Sequence, residues 1–190
     1  MDKTAEPQAR TAGRLERFVH GVIRRCKDDK GLAARLRRAD NPSTEYQSWE
    51  LLALYGIDLE NDFERLPFVT IAAAIAKAKA ENNGTLPLGR AIAACYDDGS
   101  ESKRKQGQAR LRRLLACNDL AELCRVLRPL FSLIDSRVNQ NLDYVRLLRQ
   151  VWRFPADPIR VKAQWAQEFY GSFAADDEQR AATAEVKEIA

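Results

Sequence analysis

The 190-residue sequence predicts an all-α fold, two small helical bundles packed in tandem, on three observations. Apolar residues recur at i, i+3, i+4 and i+7 in one segment after another, the period of a helix with one buried face. Glycine (9) and proline (7) are too scarce for the many tight turns of a sandwich or barrel. No stretch alternates apolar and polar residues over a strand's length, and there is no internal repeat. With 45% apolar and 31% charged residues there is enough for a core beneath a charged surface, which excludes disorder throughout.

Leu15, Phe18, Val19, Val22, Ile23 and Cys26 make one stripe of a first helix, from about Thr11 to Lys27. A second, short helix carries Leu32 and Leu36 and stops at Asp40-Asn41-Pro42. Ser43 is the expected cap of a third, with Tyr46, Trp49, Leu52 and Ala53 on one side and Gly56 at its end. A long segment from Phe68 to Ala80 starts β-branched, but its alanine run without a turn signal decides for helix. Asn82-Asn83-Gly84 then divides a bundle at 1–83 from a second at 84–173. There, Pro87 and Leu88 open a helix through Ile92 and Tyr96, residues 97–106 form a polar loop, and helices follow at about 103–116, 119–135, 142–153 and 158–171. Asn118 is placed to cap the second of these four, Pro129 should kink or split it, and Pro155 and Pro158 separate the last two. Residues 174–190, alanine-rich and charged with little apolar stripe, read as a tail of frayed helix or disorder.

Several function classes drop out. No apolar run approaches the roughly 20 residues that span a bilayer. The polar, acid-containing stretch through Arg14 does not read as a signal peptide, so a soluble cytoplasmic protein without a membrane partner is expected. His20 is the only histidine, and Cys26, Cys95, Cys117 and Cys124 show no C-x-x-C pairing; neither a zinc site nor a disulfide scaffold is expected. The thiols read as small buried apolar groups and His20 as a helix-surface residue. Asp28-Asp29, Asp97-Asp98 and Asp176-Asp177 fall in loops or the tail, where adjacent carboxylates face solvent. Gly84 to Ala91 has the glycine spacing of a phosphate-binding loop but lacks its lysine and hydroxyl and contains Pro87. No enzyme class survives, and no cofactor or metal is expected.

Charge is more informative where it is localised. Lys/Arg minus Asp/Glu gives +5 for residues 1–42, −5 for 43–99, +7 for 100–170 and −3 beyond, and 22 of the 31 bases are arginine. Arginine forks onto phosphate and stacks on flat rings, which tilts the partner toward a polyanion. Arg146, Arg149 and Arg153 lie at i, i+3 and i+7 on the 142–153 helix, opposite a stripe of Leu142, Val145, Leu148 and Trp152. Arg110 and Arg113 share a face near 103–116, while Arg125 with Arg128 and Arg35 with Arg38 are paired at i, i+3. Like charges in register repel, and a phosphate backbone relieves that repulsion while releasing counterions. The competing reading is a solvated, salt-bridged face. Tyr144, Trp152, Trp165 and Tyr170 could stack on bases, though beside leucines at helical spacing they read first as core.

The order of motifs adds a resemblance. Leu88-Gly89-Arg90-Ala91-Ile92-Ala93, then Arg110-Leu111-Arg112-Arg113-Leu114-Leu115-Ala116, then Leu123 to Leu130 with Arg128, then Leu142-Asp143-Tyr144 and the pattern ending at Trp152 resemble the small subunit of the type I-E CRISPR Cascade surveillance complex, the CasB family. Ala33 to Ala39 and Trp49-Glu50-Leu51-Leu52 resemble its N-terminal half, and the likeness spans about residues 15–170. It implies two helical bundles without catalytic activity and two copies lying head to tail among other Cascade subunits. They would bracket the hybrid of crRNA and target DNA, hold the displaced single strand and stabilise the R-loop. Such recognition is of backbone and charge, since base pairing carries the sequence information. Among candidate nucleic-acid-binding residues, Arg35, Arg38, Arg90, Arg110, Arg128 and Arg149 come from the resemblance; Arg113, Arg146 and Arg153 come from periodicity. Two other readings compete. One is a scaffold pairing its arginines with acidic proteins; the other is a regulator reading the major groove, for which no helix-turn-helix is evident.

Overall fold

The computed structural model of the chain describes residues 5–97 and 100–188, with side chains for 12–97 and 100–173. Among these residues the only β pairing is an isolated bridge between Leu86 and Leu142. The fold is all-α, as the periodicity predicts. In the first half, α1 (Ala5–Asp28) and α2 (Lys30–Arg38) lead through a 3-10 helix (Pro42–Ser48) into α3 (Trp49–Leu54) and α4 (Asp62–Ala78). The second half holds α5 (Leu88–Ala94), α6 (Glu101–Leu115), α7 (Leu120–Arg137), α8 (Tyr144–Arg153) and α9 (Pro158–Glu188).

Helix α4 is the axis of the molecule. Every residue from Pro67 to Ala76 is buried, and a helix apolar on all sides has to be enclosed. It packs on α2, α7 and α8, and α1 also reaches α8. The halves 1–83 and 84–173 therefore share one continuous core, running from Leu15, Phe18 and Phe68 through Leu123 and Leu148 to Trp165 and Phe169. Residues 84–86 lie along 141–143, where the Gly84 N–H donates to the Leu142 carbonyl (2.9 Å) and the Asp143 N–H to the Leu86 carbonyl (2.9 Å). Only glycine fits at 84, because a Cβ there would fall 1.8 Å from the Asn141 carbonyl oxygen.

Several helix ends differ from those the sequence suggests, each for a local reason. Helix α4 starts at Asp62, not Phe68, because the Asn61 side chain accepts from the Phe63 N–H and caps it. Pro67 is tolerated inside, since the carbonyl it leaves without a donor belongs to exposed Phe63. Asn41, not Ser43, caps the third helical segment, which begins as a 3-10 turn. With three residues per turn, i and i+3 eclipse, so Glu45 and Ser48 share the buried side while Tyr46 and Trp49 face outward, 59% and 42% exposed. Asp119, not Asn118, caps α7: its carboxylate accepts from the Glu122 N–H, and Glu122 accepts from the Asn118 N–H. Helix α7 runs through Pro129 as one helix to Arg137. Pro129 is exposed, as is Arg125, whose carbonyl loses its donor and is left to water. Helix α9 continues past residue 173 to Glu188, in keeping with the helix propensity of its alanines.

A string of ion pairs crosses the core boundary. Lys77 pairs with Asp40, Asp40 with Arg128 (3.7 Å), Arg128 with Glu45 (4.0 Å), Glu45 with Arg65 (2.7 Å) and Arg65 with Asp62. Signs alternate along it, so the charge brought inward by α4 and α7 is matched by the segment after α2. Burial pulls the Arg65 pKa down, and the hydrogen bonds and charges of Glu45 and Asp62 outweigh it to give a net rise. The four cysteines are free; Cys95, Cys117 and Cys124 are buried and Cys26 is half-buried. Burial raises the thiols of Cys26, Cys95 and Cys124 to about 11, which keeps them largely protonated near neutrality. Among the described residues no cluster of His, Cys, Asp or Glu could hold a metal, and no helix is long and apolar enough to cross a membrane.

Candidate nucleic-acid interface

The arginine stripe of α8 faces a cleft of about 310 Å3 against the start of α9. Arg146, Arg149 and Arg153 line it from α8, and Arg160 lines it from α9. The stripe points outward because the other side of α8, with Leu147, Leu148 and Val151, is buried in the core. The two aspartates at the cleft are engaged as helix caps. Asp143 accepts from the Arg146 N–H (3.0 Å) and Asp157 from the Arg160 N–H (3.2 Å). Both sit where the helix dipole favours negative charge, which leaves the guanidinium heads as the outward-facing charge.

Polar side chains anchor the cleft below. Buried Gln150 accepts from the Trp165 indole N–H (2.8 Å) and donates to Gln164 (3.2 Å) and Glu168 (3.3 Å). Glu168, only 7% exposed, accepts from Arg146 (2.6 Å) and, on its other oxygen, from the Gly89 N–H (3.0 Å). Arg146 is thus partly structural. Arg149 makes a looser pair with Glu16 of α1 at 3.8 Å, both side chains well exposed. Arg153 and Arg160 are exposed and have no side-chain hydrogen bond or ion pair among the described residues.

The remaining candidates line none of this cleft. Arg35 pairs with Glu50 at 3.7 Å, and Arg38 donates to Gln47 (2.8 Å). Arg110 donates to the Tyr96 hydroxyl (3.3 Å), while Arg90 and Arg113 are exposed with free heads among the described residues. Arg128 differs from all of these: its side chain is 13% exposed and turned inward onto Asp40 and Glu45. Tyr144 and Trp165 are core residues, Trp152 packs against the core, and Tyr170 stays 49% exposed.

The glycines of the phosphate-loop-like stretch serve packing. A Cβ on Gly89 would lie 2.3 Å from the Trp165 carbonyl oxygen and 2.8 Å from the Phe169 amide nitrogen, so Gly89 lets α5 lie directly on α9. The Leu-Gly-Arg-Ala motif is in this way a helix-packing motif.

Residues 32–170 match the family model described as CRISPR-associated protein Cse2. The chain belongs to the Cse2 family. A solved chain from a CRISPR RNA-guided surveillance complex shares the fold with a TM-score of 0.69 at 23% identity, over 89% of this chain and 98% of that one. CasB of M. ruber aligns with a TM-score of 0.66 at 25% identity, over 85% and 97%. CasB from Thermus thermophilus aligns at 0.61 and 23%, over 83% and 97%. No curated protein matches the chain.

Sequence reasoning misses two parts of the basic surface of this Cse2-family chain. Arg160 is hidden by Pro155 and Pro158, which divide α8 from α9 yet turn the chain so that Arg153 and Arg160 line one cleft. Arg17, His20, Arg24 and Lys27, at i, i+3, i+7 and i+10, form the exposed face of α1. That spacing is legible, but the apolar stripe of the same helix is the stronger signal.

Proposed function

We propose that this chain is a non-catalytic small subunit of a type I-E CRISPR Cascade complex. It tracks the sugar-phosphate backbone of the crRNA and target DNA hybrid and of the displaced strand, and so stabilises the R-loop in antiviral defence. Its partners are the other Cascade subunits, crRNA, target DNA and a second copy of itself. The observation that carries the reading is the arginine cleft between α8 and α9, four guanidinium groups over aspartates engaged as caps. Family membership supplies the setting, and the CRISPR RNA-guided surveillance complex among the solved relatives supports it. Arginines on rigid helices, with no element to read base edges, suit recognition by charge.

The test is charge reversal at the two cleft arginines that hold nothing else. R153E/R160E should leave the melting midpoint in place and weaken single-stranded DNA binding about tenfold or more at low salt. It should also flatten the slope of log affinity against log salt by about 0.7 for each phosphate no longer neutralised. R-loop yield in the reconstituted complex should fall with it. If affinity and slope stay at wild-type values while assembly fails, the scaffold alternative replaces this reading, with the arginines engaging acidic protein partners.

A further inference from the structure

A second basic site lies on the N-terminal half, around a cavity of about 400 Å3 between α1, α2 and the end of α4. Its rim carries Lys27, Lys30, Arg37 and Lys79, and its floor is small and apolar, with Ala33, Ala76 and Ala80. Glu81 is the acid of the lining. Nearby Asp29 is occupied in capping α2, accepting from the Leu32 N–H at 2.9 Å. Arg37 reaches the Ala76 carbonyl at 3.4 Å. The three lysines are exposed and have no ion pair or hydrogen bond from their ammonium groups among the described residues. The lining thus holds four cations, Lys27, Lys30, Arg37 and Lys79, against one acid.

Lys79 is the second observation. It follows α4 with φ of 50°, the left-handed conformation that glycine or asparagine normally fills at a helix end. A lysine there is strained, and strain of this kind in a natural chain points toward function. The third is the path to the cleft. Glu16 of α1 meets Arg149 at the cleft edge, and the exposed face Arg17, His20, Arg24 and Lys27 leads from there to the cavity. From Glu16 to Lys27 is roughly 16 Å along a helix axis. Arg17, Arg24 and Lys27, spaced along that face between two basic concavities, fit one polyanionic strand better than a small free anion.

Resting on the function proposed above, we infer that the cavity rimmed by Lys27, Lys30, Arg37 and Lys79 is a second phosphate-binding site. The basic face of α1 connects it to the α8–α9 cleft, so that a single nucleic-acid strand engages both. The rim holds backbone phosphates, and the apolar floor leaves room for a sugar or an unstacked base.

Cys26 lines the same cavity and is the half-buried thiol among three buried ones, so it reports occupancy. The experiment uses the full chain and a 30-nucleotide single-stranded DNA in a salt series, with thiol modification at mildly alkaline pH followed in parallel and C26S to assign the Cys26 signal. The expected result is that DNA slows Cys26 modification at least severalfold. K27Q/K30Q/K79Q should lower affinity and reduce the salt slope by about 2, and K79G alone should weaken binding while raising the melting midpoint by about 2–4 °C as strain is relieved. Wild-type binding with Cys26 unprotected and the slope unchanged in the triple variant overturns this inference and leaves the cleft standing. Protection by pyrophosphate equal to that by DNA makes this a free-anion site and overturns the strand assignment. Failure of the wild type to bind DNA at low salt overturns both readings.

Discussion

Gly89→Val should destabilise the chain by about 3 kcal/mol and lower its melting midpoint by roughly 10 °C. A Cβ at this position meets the Trp165 carbonyl oxygen at 2.3 Å, the Glu168 Cβ at 2.5 Å and the Phe169 nitrogen at 2.8 Å, and two of these are backbone atoms that cannot swing aside. Helix α5 would have to lift off α9, and overpacking of this kind typically costs about 1–3 kcal/mol. Lifting also breaks the bond from the Gly89 N–H to Glu168 and strips a donor from a nearly buried carboxylate, a further cost of about 1–3 kcal/mol. Gly171→Ala, on α9 itself, is the control. No atom lies within 4 Å of a Cβ built there, so removing a helical glycine should raise stability by about 0.5–1 kcal/mol. Thermal denaturation followed by circular dichroism separates the two, and a Gly89→Val protein melting at the wild-type temperature would show that α5 is not pinned as described.

These effects explain how far the sequence could be read. Apolar periodicity located α1, α2, α6, α7 and α8 because each buries one face, and a one-faced helix writes its period into the chain. Helix α4 is buried on every side, so it has no period to show, and its start at Asp62 was masked by a proline that water accommodates. The stretch Pro42–Ser48 misled because 3-10 geometry places Tyr46 and Trp49 in one exposed column that an α-helical wheel assigns to the core. The site was legible in part for the same reason. Arg146, Arg149 and Arg153 lie on one helix, where spacing suffices, whereas Arg160 joins them across a proline turn that spacing cannot cross. The cavity of Lys27, Lys30, Arg37 and Lys79 draws on three helices, and no local pattern announces it.

Arg128 is where family pattern and packing part company, and its replacement separates the two. Arg128→Ala should cost about 2–3 kcal/mol of stability while leaving the salt dependence of nucleic-acid binding as it is in the wild type. The guanidinium lies between Asp40 and Glu45, whose side chains are 16% and 11% exposed, and it is 13% exposed itself. Removing it leaves two nearly buried carboxylates facing each other, with Lys77 on one and Arg65 on the other as the only remaining cations of the string. Arg128 Nε is buried with no hydrogen bond, so the fork is held by charge more than by directional bonding. Arg128→Lys should therefore recover part of the stability by restoring the positive charge, though it cannot reach both acids at once. A cycle with Asp40→Ala should show positive coupling between the two sites, because the second substitution removes a charge that the first left unpaired. A lower salt slope for Arg128→Ala at an unchanged melting midpoint would mean the opposite, that Arg128 leaves its acids to hold a phosphate.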